Sequence, residues 1–81
     1  MGGTQPDREL DLKGEVCPYT FVKSKLALEE MALGEVLRVI VDNPGSADNV
    51  PRSMESEGHK VLDVSQVTET DWQILVQKAA G

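Results

Sequence analysis

The sequence predicts an α/β fold: a two-layer α/β sandwich of order β-α-β-α-β-β, with a four-stranded mixed sheet and two helices on one face. Three observations predict it. The apolar spacing switches along the chain between two residues and three-to-four, which separates strand-like from helix-like stretches. A helical stretch follows each of the first two strands, as in units where strands run parallel and the helices cover the sheet. The last two strands are joined only by Thr68-Glu69-Thr70, a connection short enough to require an antiparallel pair.

In chain order, Met1 to Asp7 is Gly-rich and polar and reads as a disordered tail, leaving residues 8–81 as a single domain. Arg8 to Lys13 is the first strand, with Leu10 and Leu12 on one face and Glu9, Asp11 and Lys13 on the other. Gly14 permits the turn that follows. The first helix spans about Pro18 to Ala32. Phe21, Ser24, Leu28 and Met31 make its buried face, flanked by Ala27 and Ala32, and Leu33-Gly34 ends it. Val36 to Val41 is almost wholly apolar and β-branched, as suits a central strand. Asp42-Asn43-Pro44-Gly45 is a turn, and Ser46 caps a second helix with Ala47, Val50 and Met54 buried and Gly58 as its stop. Pro51 is tolerable near the helix start, or splits the segment into a turn and a shorter helix. Lys60 to Val67 is a third strand through Val61, Val64 and Val67. Asp71 to Lys78 is a fourth, with Trp72, Ile74 and Val76 on the core side.

Composition narrows the function classes. Eighty-one residues make one small domain, which buries only roughly 60% of the surface of its unfolded chain. The charge is −6, with eight basic against fourteen acidic residues, which argues against direct nucleic-acid binding and suits solubility or docking to basic patches on proteins. The single cysteine cannot form an internal disulfide. No signal-like N-terminus and no apolar run near the ~20 residues of a membrane span are seen, so a cytoplasmic location is expected.

Chemistry centres on Gly14-Glu15-Val16-Cys17-Pro18-Tyr19-Thr20. Proline is favoured at a first helical position, so Pro18 starts the helix and Cys17 takes the N-cap. Free N–H groups and the positive dipole end there favour an anion, and a thiolate is the reactive form of cysteine. Against this, a lone cysteine is commonly a buried small hydrophobe. His59 sits at the start of the third strand and no motif ties it to Cys17, so Cys-His hydrolysis is disfavoured. One cysteine and one histidine do not make a usual zinc set, and no cofactor or metal is expected. Val22 and Leu26 lie off the buried face, either as incidental exposed surface or as a small docking patch. The Asp42 turn and Glu55-Ser56-Glu57 read as solvated surface.

A short first strand, Gly-x-x-Cys17-Pro18, a helix, Leu33-Gly34-Glu35 opening an apolar strand and Asp42-Asn43-Pro44 closing it together resemble the TusA/SirA/YedF family of small sulfur carriers. The resemblance runs from about Glu9 to Lys78. It implies sulfur relay: a persulfide held at Cys17 and passed from a donor of cysteine desulfurase or rhodanese type to an acceptor protein, with Pro18, Tyr19 and Thr20 forming a helix start that supports the anion. It implies a sulfurtransferase-type carrier rather than a stand-alone turnover enzyme, acting as a monomer without nucleic acid or membrane. The alternatives are a non-catalytic regulatory or protein-binding module, or a selenium-handling relative. The family motif is Cys-Pro-x-Pro, and Thr20 stands at the second proline. That exchange restores an N–H and adds a hydroxyl in the first helical turn. Tyr19 either shields the sulfur, meets a partner, or is an exposed aromatic beside the turn.

Overall fold

The computed structural model describes residues 6–15 and 19–79. Its elements follow the expected order: β1 (Arg8–Asp11), α1 (Tyr19–Glu29), β2 (Val36–Val41), α2 (Pro44–Ser56), β3 (Lys60–Gln66) and β4 (Trp72–Gln77). The sheet order is β1-β2-β4-β3. β1 runs parallel to β2, while β4 is antiparallel to both β2 and β3, so the sheet is mixed.

β2 and β4 are central because their sequences can be covered. Leu37, Val39 and Val41 of β2 and Ile74 and Val76 of β4 are fully buried, and Leu28 of α1 and Val50 and Met54 of α2 pack into the same core. Trp72 and Val61 are half-buried against it. The other sheet face carries a row of hydrogen bonds across all four strands. Arg38 donates to Glu9 and, at 2.7 Å, to Gln73; Gln73 donates to Ser65 at 3.2 Å; Ser65 donates to Asp63 at 3.0 Å. Alternation in β2 and β4 therefore sorts a dry face from a wet one. β3 departs from strict alternation. A bulge between Val61 and Asp63 shifts its register, and Val64 and Val67 end 42% and 48% exposed. A bulged edge strand is poorly shaped for pairing with another chain.

Two helix boundaries differ from the sequence expectation. α1 stops at Glu29 rather than Ala32, because its end tightens: Glu30 N–H bonds Ala27 O and Met31 N–H bonds Leu28 O, three residues back. Gly34, at φ +89°, belongs to the separate turn before β2. α2 is capped by Asn43, not Ser46. The Asn43 side chain accepts from Gly45 N–H at 2.7 Å and Pro44 occupies the first helical position, where a missing N–H costs nothing. α2 then runs unbroken through Pro51. It ends as expected at Gly58 (φ +96°), where Gly58 N–H bonds Glu55 O and His59 N–H bonds Met54 O, a Schellman closure. Among the described residues no helix is long and apolar enough to cross a membrane.

Candidate functional site at two adjacent helix starts

Because β1 and β2 are parallel and each leads into a helix, both helices start at the same edge of the sheet. Thr20 is the second residue of α1 and Ser46 the third of α2, and their hydroxyl oxygens lie 3.5 Å apart in a fully buried seam. The Ser24 hydroxyl donates to Thr20 O at 2.8 Å, which keeps a second hydroxyl satisfied in that seam. Small polar side chains there let the two helix starts approach closely. Neither helix carries an acidic residue in its first described turn. Two positive dipole ends thus face one region without a side-chain carboxylate of their own to occupy them, and such ends favour anions.

Cys17 and Pro18 precede Tyr19 directly in sequence, but both lie outside the described residues. Their flanks are described. Upstream, Gly14 adopts φ +87° and its N–H donates to both carboxylate oxygens of Asp42, 3.1 Å each. Glu15 N–H bonds Leu12 O at 3.1 Å, and the Glu15 carboxylate pairs with Lys23 of α1 at 3.0 Å. Downstream, Tyr19 is 58% exposed, while Thr20 is fully buried. Val22 and Leu26, three and seven residues beyond Tyr19, are 42% and 54% exposed and extend an apolar stripe along α1 from its start.

His59 is not brought to this region. It follows the far end of α2, a helix of 13 residues and therefore about 20 Å long, and its Nδ1 accepts from Ala79 N–H at 3.3 Å. Among the described residues no group of three or more His, Cys, Asp or Glu side chains is placed to hold a metal ion.

The sequence reading missed the Asp42 bond to Gly14 and the place of Ser46. Asp42 is exposed, as expected for a solvated turn, yet it holds a backbone amide 28 residues away. Nothing in local spacing signals such a bond. Ser46 had a signal, since Pro44 after Asn43 marks the helix start two residues earlier.

The model of the family described as sulfurtransferase TusA matches residues 8–78. The chain belongs to the TusA family. Within it, a protein of Archaeoglobus fulgidus named as a candidate sulfur carrier is 56% identical over 69 residues, covering 85% of this chain and 78% of the other. A protein of Escherichia coli K12 named as the candidate sulfur carrier YedF is 40% identical over 78 residues, covering 96% of this chain and all of that one. Among solved structures, the crystal structure of a SirA-like protein from Desulfitobacterium hafniense superposes with a TM-score of 0.80 at 26% identity, covering 90% of this chain and 99% of that one. The TusA-family fold is thus shared over nearly the whole length.

Proposed function

We propose that this TusA-family chain is a sulfur carrier, with Cys17 bearing a persulfide that moves from one protein partner to another. The observation that carries the reading is the pair of helix starts at the carboxyl ends of parallel β1 and β2, with the only cysteine two residues ahead of the first in sequence. Sites in open α/β sheets recur at that end.

The chemistry asks little of the site. The Cys17 thiolate attacks the outer sulfur of a donor persulfide. A new S–S bond forms, the donor's S–S bond breaks, and the donor leaves as a thiolate. The electron count and charge balance without an external oxidant or reductant. Delivery repeats the step, with an acceptor nucleophile attacking the outer sulfur and Cys17 leaving as thiolate. Thiolate and persulfide are both anions, so one field stabilises the empty and the loaded carrier. Pro18 is the residue type favoured at a first helical position, and the free backbone N–H groups at the α1 start, those of Tyr19 and Thr20, are assigned the support of the charge. No distant base is needed, consistent with His59 lying at the other end of α2.

A donor of cysteine desulfurase or rhodanese type and an acceptor protein are the partners, met by a monomer in the cytoplasm. The exposed Tyr19, Val22 and Leu26 offer them an apolar stripe next to the cysteine in sequence. Incubation with a cysteine desulfurase and sulfur-labelled cysteine tests the reading. Label should remain on the chain after non-reducing separation and be released by dithiothreitol. Label that survives reduction, or that also appears on Cys17→Ser, contradicts it.

A further inference from the structure

The two flanks of the cysteine segment are held by one short piece of chain. Gly14 lies three residues before Cys17 and Thr20 three after it. Asp42 takes the Gly14 amide with both carboxylate oxygens, and Ser46 meets the Thr20 hydroxyl. Both belong to the β2–α2 junction, Asp42-Asn43-Pro44-Gly45-Ser46. That junction is itself fixed. Val41 ahead of it is fully buried, the Asn43 side chain bonds Gly45 N–H at 2.7 Å, and Ala47 N–H bonds Asn43 O at 3.0 Å.

We propose that Asp42 and Ser46 are positioning residues for sulfur transfer, a clasp at the β2–α2 junction that grips both flanks of the Cys17 segment. The proposal rests on the carrier reading above. Transfer between proteins needs the sulfur presented in line with an attacking atom, and small displacements of a reacting group are costly in rate. A segment ordered before docking loses less freedom on docking. Asp42 acts on the upstream flank through a backbone amide that any residue at position 14 other than proline would supply. Gly14 itself is required by its positive φ rather than by crowding, because among the described residues, its chain neighbours aside, no atom lies within 4 Å of where its Cβ would stand. Ser46 acts on the downstream flank, and its burial beside Thr20 fixes the start of α1 against that of α2.

The test compares Asp42→Ala with Asp42→Asn in the full chain. Asparagine keeps an oxygen acceptor for Gly14 and removes the charge, so it separates positioning from electrostatics. Asp42 is exposed, so neither variant empties the core. Three readouts are taken: sulfur loading from a cysteine desulfurase, the pH profile of Cys17 alkylation by iodoacetamide, and amide order and exchange by NMR. In Asp42→Ala, loading should slow about tenfold, the loss of one hydrogen bond to a charged group. The Gly14 amide should lose protection and Glu15 and Tyr19 should become less ordered, while Ile74 and Val76 stay as in wild type. Asp42→Asn should restore loading and order to near wild type. Equal loading by wild type and Asp42→Ala, or unchanged order at Glu15 and Tyr19, overturns the clasp. Asn and Ala variants that lose loading alike and shift the alkylation profile alike also overturn it, since the charge would then be the cause. A wild-type chain that accepts no sulfur sinks the carrier reading instead, and the NMR comparison still decides whether Asp42 orders the segment. Ser46→Ala adds the second flank: loading should fall while the Gly14 amide stays protected, and unchanged loading overturns the part assigned to Ser46.

Discussion

Lys78→Met should destabilise the protein without touching sulfur loading. α1 has no basic residue in its last turn, so its final carbonyls need a partner from elsewhere. Lys78, just past β4, supplies one. Its Nζ donates to Met31 O at 2.7 Å and stands 3.5 Å from Glu29 O. The backbone of Lys78 pairs with Gly34 and Glu35 at 2.8 and 2.9 Å, and methionine would keep those bonds and most of the aliphatic stem. What is lost is one charged hydrogen bond and a cation at a helix end. A hydrogen bond to a charged group contributes about 1.5–3 kcal/mol. Lys78 is only half-buried, so water recovers part of this, and the expected loss is about 1–1.5 kcal/mol. For a domain of this size that lowers Tm by about 4–12 °C. Circular dichroism melts and urea titrations of wild type, Lys78→Met and Lys78→Arg measure it, with the urea slope unchanged. A Lys78→Met variant within about 0.3 kcal/mol of wild type would refute the reasoning, because water would then serve those carbonyls as well as Nζ does. Loading at Cys17 should be unaffected, since α1 is 11 residues long and its two ends lie about 16 Å apart.

Two other substitutions probe the core and the stripe. Leu28→Ala removes a fully buried side chain between helix and sheet and should cost about 3 kcal/mol, read from the urea midpoint; a loss below about 1 kcal/mol would place Leu28 outside the core. That is a large share of the total stability of about 4–12 kcal/mol for a chain of this length. Leu26→Glu alters an exposed position and should change stability by less than about 0.5 kcal/mol. It should slow sulfur uptake from a donor protein about fivefold or more, the effect of losing over 1 kcal/mol at an interface, while leaving iodoacetamide alkylation of Cys17 unchanged. Equal uptake by both proteins would make the stripe incidental surface.

Much of the fold is legible in the sequence because its central strands obey simple spacing. β2 is nearly continuous in apolar residues, which marks it as a central strand, and β4 alternates, which marks its core face but not its place in the sheet. The same rule is weaker for β3, where the bulge after Val61 breaks the period and leaves Val64 and Val67 exposed. In α1 the periodic pattern placed Phe21 on the buried face, whereas the buried face turns toward Thr20, Ser24, Ala27 and Leu28, with Phe21 half-buried at its margin. Ser24 and Leu28 are buried as the spacing predicts, whereas the burial of Thr20, a small hydroxyl suited to a close seam between helices, has no apolar signal. Asn43 and Ser46 are both good cap residues, and Pro44 is the residue that distinguishes them. Thr20 as a helix-start residue was legible. Its burial against Ser46 was not, nor was the hold of Asp42 on Gly14, because polar contacts between residues 26 and 28 positions apart leave no periodic trace.

Sulfur relay by this chain requires that Cys17 be the loading point for sulfur. Its most direct test is the intact mass of wild type and Cys17→Ser after incubation with a cysteine desulfurase and cysteine. The expected result is a gain of one sulfur atom on wild type, lost on reduction, and no gain on Cys17→Ser. An unchanged wild-type mass under conditions that load another thiol carrier would contradict it.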